Sequence, residues 1–175
     1  MKFHQTKLPG VFEVHIEPKA DERGFFARTW CAQEFAAQGL NPALAQCSAS
    51  FSTRKGTLRG IHYQEAPYRE AKLVRCTQGS IYDVVVDLRR ESPTFKSWIA
   101  LTLSAQNRHM IYVPEGCGHG FLTLEDETEV FYQISEAFKA EASRGVRWDD
   151  PAFQVNWPAG VTVISERDRT YPDFQ

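Results

Sequence analysis

Short runs of β-branched, aromatic and aliphatic residues recur along the chain, at residues 11–16, 25–30, 46–51, 57–63, 72–77, 81–88, 98–103, 109–113, 120–124 and 130–134. Turn-forming residues separate them. Runs of this length and spacing predict strands, and so many in one chain predict an all-β barrel or sandwich. Gln78-Gly79-Ser80 fits a tight hairpin turn between two of them. Only residues 32–38 carry a helical pattern, closed by Gly39 where a C-terminal cap belongs. The C-terminal segment, with Trp148, Pro151, Trp157 and Pro158, reads as irregular with room for one more short helix. No repeat, low-complexity tract or linker interrupts the pattern, so residues 1–175 read as one domain.

Composition narrows the partners. The apolar share of 42% and charged share of 24% are those of an ordinary globular chain. A net charge of -2 gives no reason to expect nucleic acid or a membrane surface as partner. No apolar run is long enough to span a bilayer, and Met1-Lys2-Phe3-His4-Gln5 lacks the apolar core of a signal peptide. Cys31, Cys47, Cys76 and Cys117 are scattered, with no C-x-x-C pair, which reads as a reduced set in a cytoplasmic protein.

Two histidines then stand out. His62 lies in the strand-like run Arg59-Gly60-Ile61-His62-Tyr63-Gln64, and His119 follows a turn in Pro114-Glu115-Gly116-Cys117-Gly118-His119. Histidine moves protons near neutral pH and also binds metals, so both kinds of site are open. Alternation groups Leu58, His62 and Gln64 on one face, with Arg59, Ile61 and Tyr63 opposite. Lys72 shares a face with Val74 and Cys76; if its strand neighbours that of His62, both side chains point inward. A lysine buried in a barrel needs a partner or a task. Each residue alone fits a structural role; the pair raises the functional reading. Gln46, Ser48, Ser50 and Ser52 alternate as a polar stripe, which pattern alone assigns to solvent rather than to a ligand wall. Arg23 and Arg59 suit phosphate or a surface ion pair. Tyr132 and Asp168 attract no notice from pattern. A metal at His62 lacks an H-x-H partner, because Gln64 occupies that position, so the usual three protein ligands for zinc or iron are incomplete.

Ordered motifs run through nearly the whole chain. They include Asp21-x-Arg23-Gly24-x-Phe26, Gly56-Thr57-Leu58-Arg59-Gly60-Ile61-His62-Tyr63-Gln64, Lys72-Leu73-Val74-Arg75 and Asp83-Val84-Val85-Val86-Asp87-Leu88-Arg89. Ser92-Pro93-Thr94-Phe95, Pro114-Glu115-Gly116-x-x-His119-Gly120-Phe121, Arg147-Trp148-x-Asp150-Pro151, Trp157-Pro158 and Ser165-Glu166-x-Asp168 follow. In these the chain resembles the dTDP-4-dehydrorhamnose 3,5-epimerases, the RmlC-like branch of the cupin superfamily. The resemblance implies a cupin-type β-barrel or jelly roll with a few short helices. It also implies metal-free, cofactor-free epimerisation of a nucleotide-linked 4-keto-6-deoxyhexose at C3 and C5.

By this resemblance His62 is the base, oriented by Asp168. Lys72 stabilises enolate charge on the C4 oxygen, Tyr132 is the acid on the opposite face, and His119 supports the site. Arg23 and Arg59 lie around the diphosphate, Phe26, Gln46 and Ser48 in the cleft, and Phe138 stacks on the base. Strict alternation puts Arg59 and His62 on opposite faces, so this assignment requires a bulge or kink at Gly60. Ser48 stands where many members have Asn, Arg28 where many have Glu, Ala137-Phe138 where Tyr-Tyr is usual, and Cys117 where Phe is common. These departures bear on the nucleotide and sugar, not on the reaction type. The family implies a homodimer with an exchanged N-terminal strand, here residues 11–16. Alternative readings are an epimerase of one carbon or of a CDP- or GDP-keto sugar, a sugar-nucleotide-binding cupin without catalysis, and a metal-dependent cupin oxygenase.

Overall fold

A computed structural model of the chain describes residues 1–175. In chain order the strands are β1 (Lys2–Gln5), β2 (Phe12–His15), β3 (Lys19–Asp21), β4 (Gly24–Phe26), β5 (Gln46–Ser52), β6 (Thr57–Gln64), β7 (Lys72–Gln78), β8 (Ser80–Asp87), β9 (Trp98–Ser104), β10 (Met110–Val113), β11 (Cys117–Thr123), β12 (Thr128–Ile134), β13 (Ser143–Gly145) and β14 (Val163–Ile164). Two short helices accompany them, α1 (Ala32–Ala37) and α2 (Glu166–Arg169). One sheet runs β1-β2-β10-β7-β12-β5 and is antiparallel throughout. The second runs β13-β6-β11-β8-β9, with β14 added in parallel against β6. No helix is long and apolar enough to cross a membrane.

Three apolar clusters explain why the strands read as nearly continuous hydrophobic runs. Val74, Cys76, Ile111, Val113 and Val130 of the first sheet meet Ile81, Val85, Leu103, Cys117 and Phe121 of the second. The opposite faces are covered too. Val14, Leu73, Met110 and Tyr112 on the outer face of the first sheet pack with Phe35 of α1 and Leu40. Ile61, Val84 and Val86 on the outer face of the second pack with Val146 and Phe153 from the C-terminal segment. Strands buried on both faces lose the apolar-polar alternation of a half-exposed sheet. Fully burying a side chain such as Phe35 contributes about 2–3 kcal/mol, which is how a six-residue helix keeps its place.

Differences from the sequence reading are local. The run at residues 25–30 stops being a strand at Phe26, because β4 pairs only with β3 in an isolated hairpin and Trp30 turns back onto the outer face of the first sheet. Within its own chain β2 is hydrogen-bonded on both sides, to β1 and β10. The short strands β1, β3, β13 and β14 carry too few apolar residues to register as runs.

Candidate active site

A cavity of about 660 Å³ opens between the two sheets. Lys72, Tyr132, Gln46, Ser48 and Ser50 reach it from the first sheet, and Arg59, His62 and His119 from the second. Asp168 and Phe138 complete the wall from outside the sheets. His62 and Lys72 are therefore not on neighbouring strands; they meet across the gap between sheets. The polar stripe of β5 faces this cavity rather than bulk solvent, because β5 is a sheet edge whose inner face meets the cavity mouth.

Backbone geometry at Gly60 sets the site. Four residues of β6, from Arg59 to His62, lie opposite only three of β11, from Phe121 to His119. The extra residue is accommodated at Gly60, whose φ is +126°. This bulge reverses the parity of the strand, so Arg59 and His62 line the same cavity. Only glycine fits: a Cβ on Gly60 would lie 2.4 Å from the Cα of Gly120.

Asp168 is brought to His62 from 106 residues away by β14. Pairing of Val163 with Thr57 and Ile164 with Leu58 lays the chain along β6, and Ser165 then turns it. The Ser165 hydroxyl accepts a hydrogen bond from the Asp168 N–H at 3.1 Å, capping α2. Oδ1 of Asp168 lies 2.6 Å from Nε2 of His62, while Oδ2 accepts from the Gly60 N–H at 3.2 Å. Burial works to raise the Asp168 pKa, but the His62 bond and charge, with the Gly60 and Ser165 bonds, outweigh it and hold the group below the usual carboxylate value. An ionised Asp168 fixes the proton on Nε2 and leaves Nδ1 as the basic nitrogen.

Lys72 is buried, with its ammonium 2.9 Å from Oε1 of Glu70. It also approaches the His62 carbonyl oxygen, at 3.4 Å. Glu70 compensates the buried charge, as a lysine in this position requires. Tyr132 has its hydroxyl 3.2 Å from Ser50 Oγ, and burial raises its pKa strongly, so it is a protonated donor. His119 is tied to a different carboxylate from His62: its Nε2 lies 2.8 Å from Oδ2 of Asp83, both groups buried. Burial raises the Asp83 pKa, opposed by His119. No third donor from His, Cys, Asp or Glu converges with His62 and Asp168 as a metal site would require.

At the mouth, Arg59 donates to Ser52 Oγ at 3.2 Å and to the Phe51 carbonyl at 2.9 Å. The Phe138 N–H donates to Gln46 Oε1 at 2.9 Å, and the Phe138 ring is 57% exposed. Arg23 and Phe26 do not join them. Both sit on the β3–β4 hairpin outside the cavity, Arg23 paired only with Asp21 of the same turn and Phe26 77% exposed. Glu70 and Arg167 line the cavity and went unread in the sequence. Glu70 lies two residues before β7, outside the strand, so alternation does not place it, and nothing local marks Arg167.

The chain is similar to known proteins over nearly its whole length. Residues 5–175 match the family model described as dTDP-4-dehydrorhamnose 3,5-epimerase. A relative of that name from Methanothermobacter thermautotrophicus is 41% identical over 97% of this chain and 92% of its own. A dTDP-4-dehydrorhamnose 3-epimerase from Streptomyces niveus is 38% identical over 97% of this chain and 82% of its own. The crystal structure of dTDP-4-dehydrorhamnose 3,5-epimerase from Bacillus anthracis, with TDP and PPi bound, superposes with a TM-score of 0.94 at 36% identity, covering 99% of both chains. With matches of this extent in sequence and in fold, the chain belongs to the dTDP-4-dehydrorhamnose 3,5-epimerase family.

Proposed function

We propose that the protein inverts C3 and C5 of a dTDP-linked 4-keto-6-deoxyhexose, converting dTDP-4-dehydro-6-deoxyglucose to dTDP-4-dehydrorhamnose. The observation that carries this is the placement of the His62–Asp168 pair on one wall of the cavity and the protonated Tyr132 on the other. A ketone at C4 acidifies the hydrogens on C3 and C5. His62 removes one through Nδ1, and Asp168 stabilises the imidazolium that forms. Lys72 faces the enolate oxygen and supplies the charge that lowers the barrier. Tyr132 returns a proton from the other wall, which inverts the carbon. His119, locked to Asp83, buttresses the Tyr132 ring edge-on at 6.2 Å between centroids. The carbonyl group of the substrate does the activating, so the mechanism calls for no cofactor.

Arg59 is the diphosphate ligand in this reading, Gln46 and Ser48 line the sugar-nucleotide cleft, and Phe138 offers its exposed ring to the base. Arg23 and Phe26 stand too far out to serve their own cavity, and their hairpin pairs with neither sheet. The protein accordingly works as a homodimer of single-domain chains, each hairpin completing the partner's cleft. Cys31, Cys47, Cys76 and Cys117 are all free thiols, which fits a reducing cytoplasm.

The test is incubation with dTDP-4-keto-6-deoxyglucose in deuterated water, followed by NMR. Deuterium at both C3 and C5 is expected. Label at one carbon alone would make it a single-carbon epimerase, and no exchange with this sugar but exchange with its CDP or GDP counterpart would change the nucleotide. His62→Ala should abolish exchange while leaving the circular dichroism unchanged; wild-type exchange in that variant would remove His62 as the base.

A further inference from the structure

Away from the catalytic cavity, at the other edge of the first sheet, Glu13, His15 and His109 converge. Glu13 and His15 are two apart on β2 and so share a face. His109 immediately precedes β10, whose Met110 pairs with Val14 of β2, which brings it alongside His15. Nε2 of His15 and Nδ1 of His109 lie 2.9 Å and 2.8 Å from the same oxygen, Oε1 of Glu13. The three donor atoms all fall within 4.8 Å of one another. His4 faces Glu13 across the β1–β2 pairing, and its ring centroid is 4.6 Å from that of His15. None of these residues lines the catalytic cavity or takes part in the proposed reaction.

We propose that Glu13, His15 and His109 form a binding site for a divalent transition-metal ion, with His4 in reach as a fourth ligand. Two imidazoles and a carboxylate are a borderline donor set that suits Zn²⁺ and its first-row neighbours rather than Mg²⁺ or Ca²⁺. To bind an ion, each neutral imidazole moves its N–H to its other ring nitrogen, which frees the lone pairs of His15 Nε2 and His109 Nδ1 facing Glu13. Tetrahedral bonds of zinc place neighbouring donors roughly 3.3 Å apart, so the contacts of 2.8 and 2.9 Å must open by about half an ångström. The His15 and His109 rings, stacked at 3.8 Å, must also rotate about χ2 until their planes meet at the ion. That torsion is broad and soft. The three side chains are 26–32% exposed, which gives an ion access from solvent. His4 and Glu13 also border a groove of about 460 Å³ with Tyr82 and Trp98, leaving room for a bound water. The ion would tie β1 and β2 to β10, closing the edge of the sheet. This site is independent of the catalytic reading, and neither depends on the other.

The experiment uses untagged, chelator-stripped protein titrated with Zn²⁺ and, separately, Co²⁺. One equivalent of Zn²⁺ per chain is expected by equilibrium dialysis, with a rise in Tm, because a ligand bound only by the folded state stabilises it. Co²⁺ should give visible bands of tetrahedral nitrogen and oxygen ligation. Glu13→Gln and His109→Asn, each checked for fold by circular dichroism, should bind Zn²⁺ at least about tenfold more weakly, since even outer-sphere changes cost roughly that much. The proposal is overturned by absence of stoichiometric binding, by wild-type affinity in both variants, or by a thiolate-to-cobalt charge-transfer band, which would move the ion to a cysteine.

Discussion

Replacing Gly60 by alanine isolates the one backbone feature on which the site depends. The new Cβ would lie 2.4 Å from Gly120 Cα and 2.9 Å from the His119 carbonyl oxygen, both backbone atoms that cannot swing aside. A non-glycine residue at φ +126° also carries strain. Strain of this kind costs about 1–3 kcal/mol, and forced overpacking adds about 1–3 kcal/mol, giving about 2–6 kcal/mol in all. For a chain of this size each kcal/mol moves Tm by about 2–4 °C, so a fall of about 10 °C is expected. Gly39→Ala is the control: its φ is +72°, yet a Cβ there meets nothing within 4 Å. It should pay the strain alone and lose about 1–2 kcal/mol. Urea denaturation at one protein concentration reads both values. If the chain relieves the clash by straightening β6, Arg59 turns from the cavity. Losing one charge-assisted bond of about 1.5–3 kcal/mol then lowers kcat/KM by about tenfold or more. Equal stabilities for the two variants, or a loss below about 1 kcal/mol for Gly60→Ala, would refute the argument that the close approach to β11 holds the bulge.

Three further outcomes follow from the same geometry. Asp168→Asn keeps an acceptor for the Gly60 N–H but removes the charge behind His62, so kcat should fall about 10²–10⁴-fold with little change in KM, read by initial rates. Tyr132→Phe removes the donor on the far wall; solvent deuterium should still enter at the carbon His62 deprotonates, while NMR shows inversion at C5 lost. Asp87 is held at about 2, against an ordinary value of 3.8; burial opposes this, but bonds from Arg89, Ser92 and Thr94 outweigh it. Its contribution of about 2 kcal/mol is complete above about pH 4 and lost as the pH falls toward 2, so urea midpoints should drop over that window and Asp87→Asn should flatten the drop.

By itself the sequence determined the long strands, because β-branched and aromatic runs between turn residues mark buried β-structure whatever they pack against. Residues 46–51, 57–63, 72–77 and 98–103 begin where β5, β6, β7 and β9 begin. Its motifs also carried the family, and with it a list of site residues that no periodicity could supply. Alternation even located the weak point, since Arg59 and His62 could share a cavity only through a bulge at Gly60. The tertiary structure decided what depends on partners distant in sequence. Asp168 meets His62 only because β14 joins β6, and Glu70 is what offsets the charge on Lys72. The β5 stripe looked solvent-facing because polarity along a strand cannot tell water from a water-filled cavity. Local patterns report what each side chain wants around it; only the folded sheets say which atoms provide it.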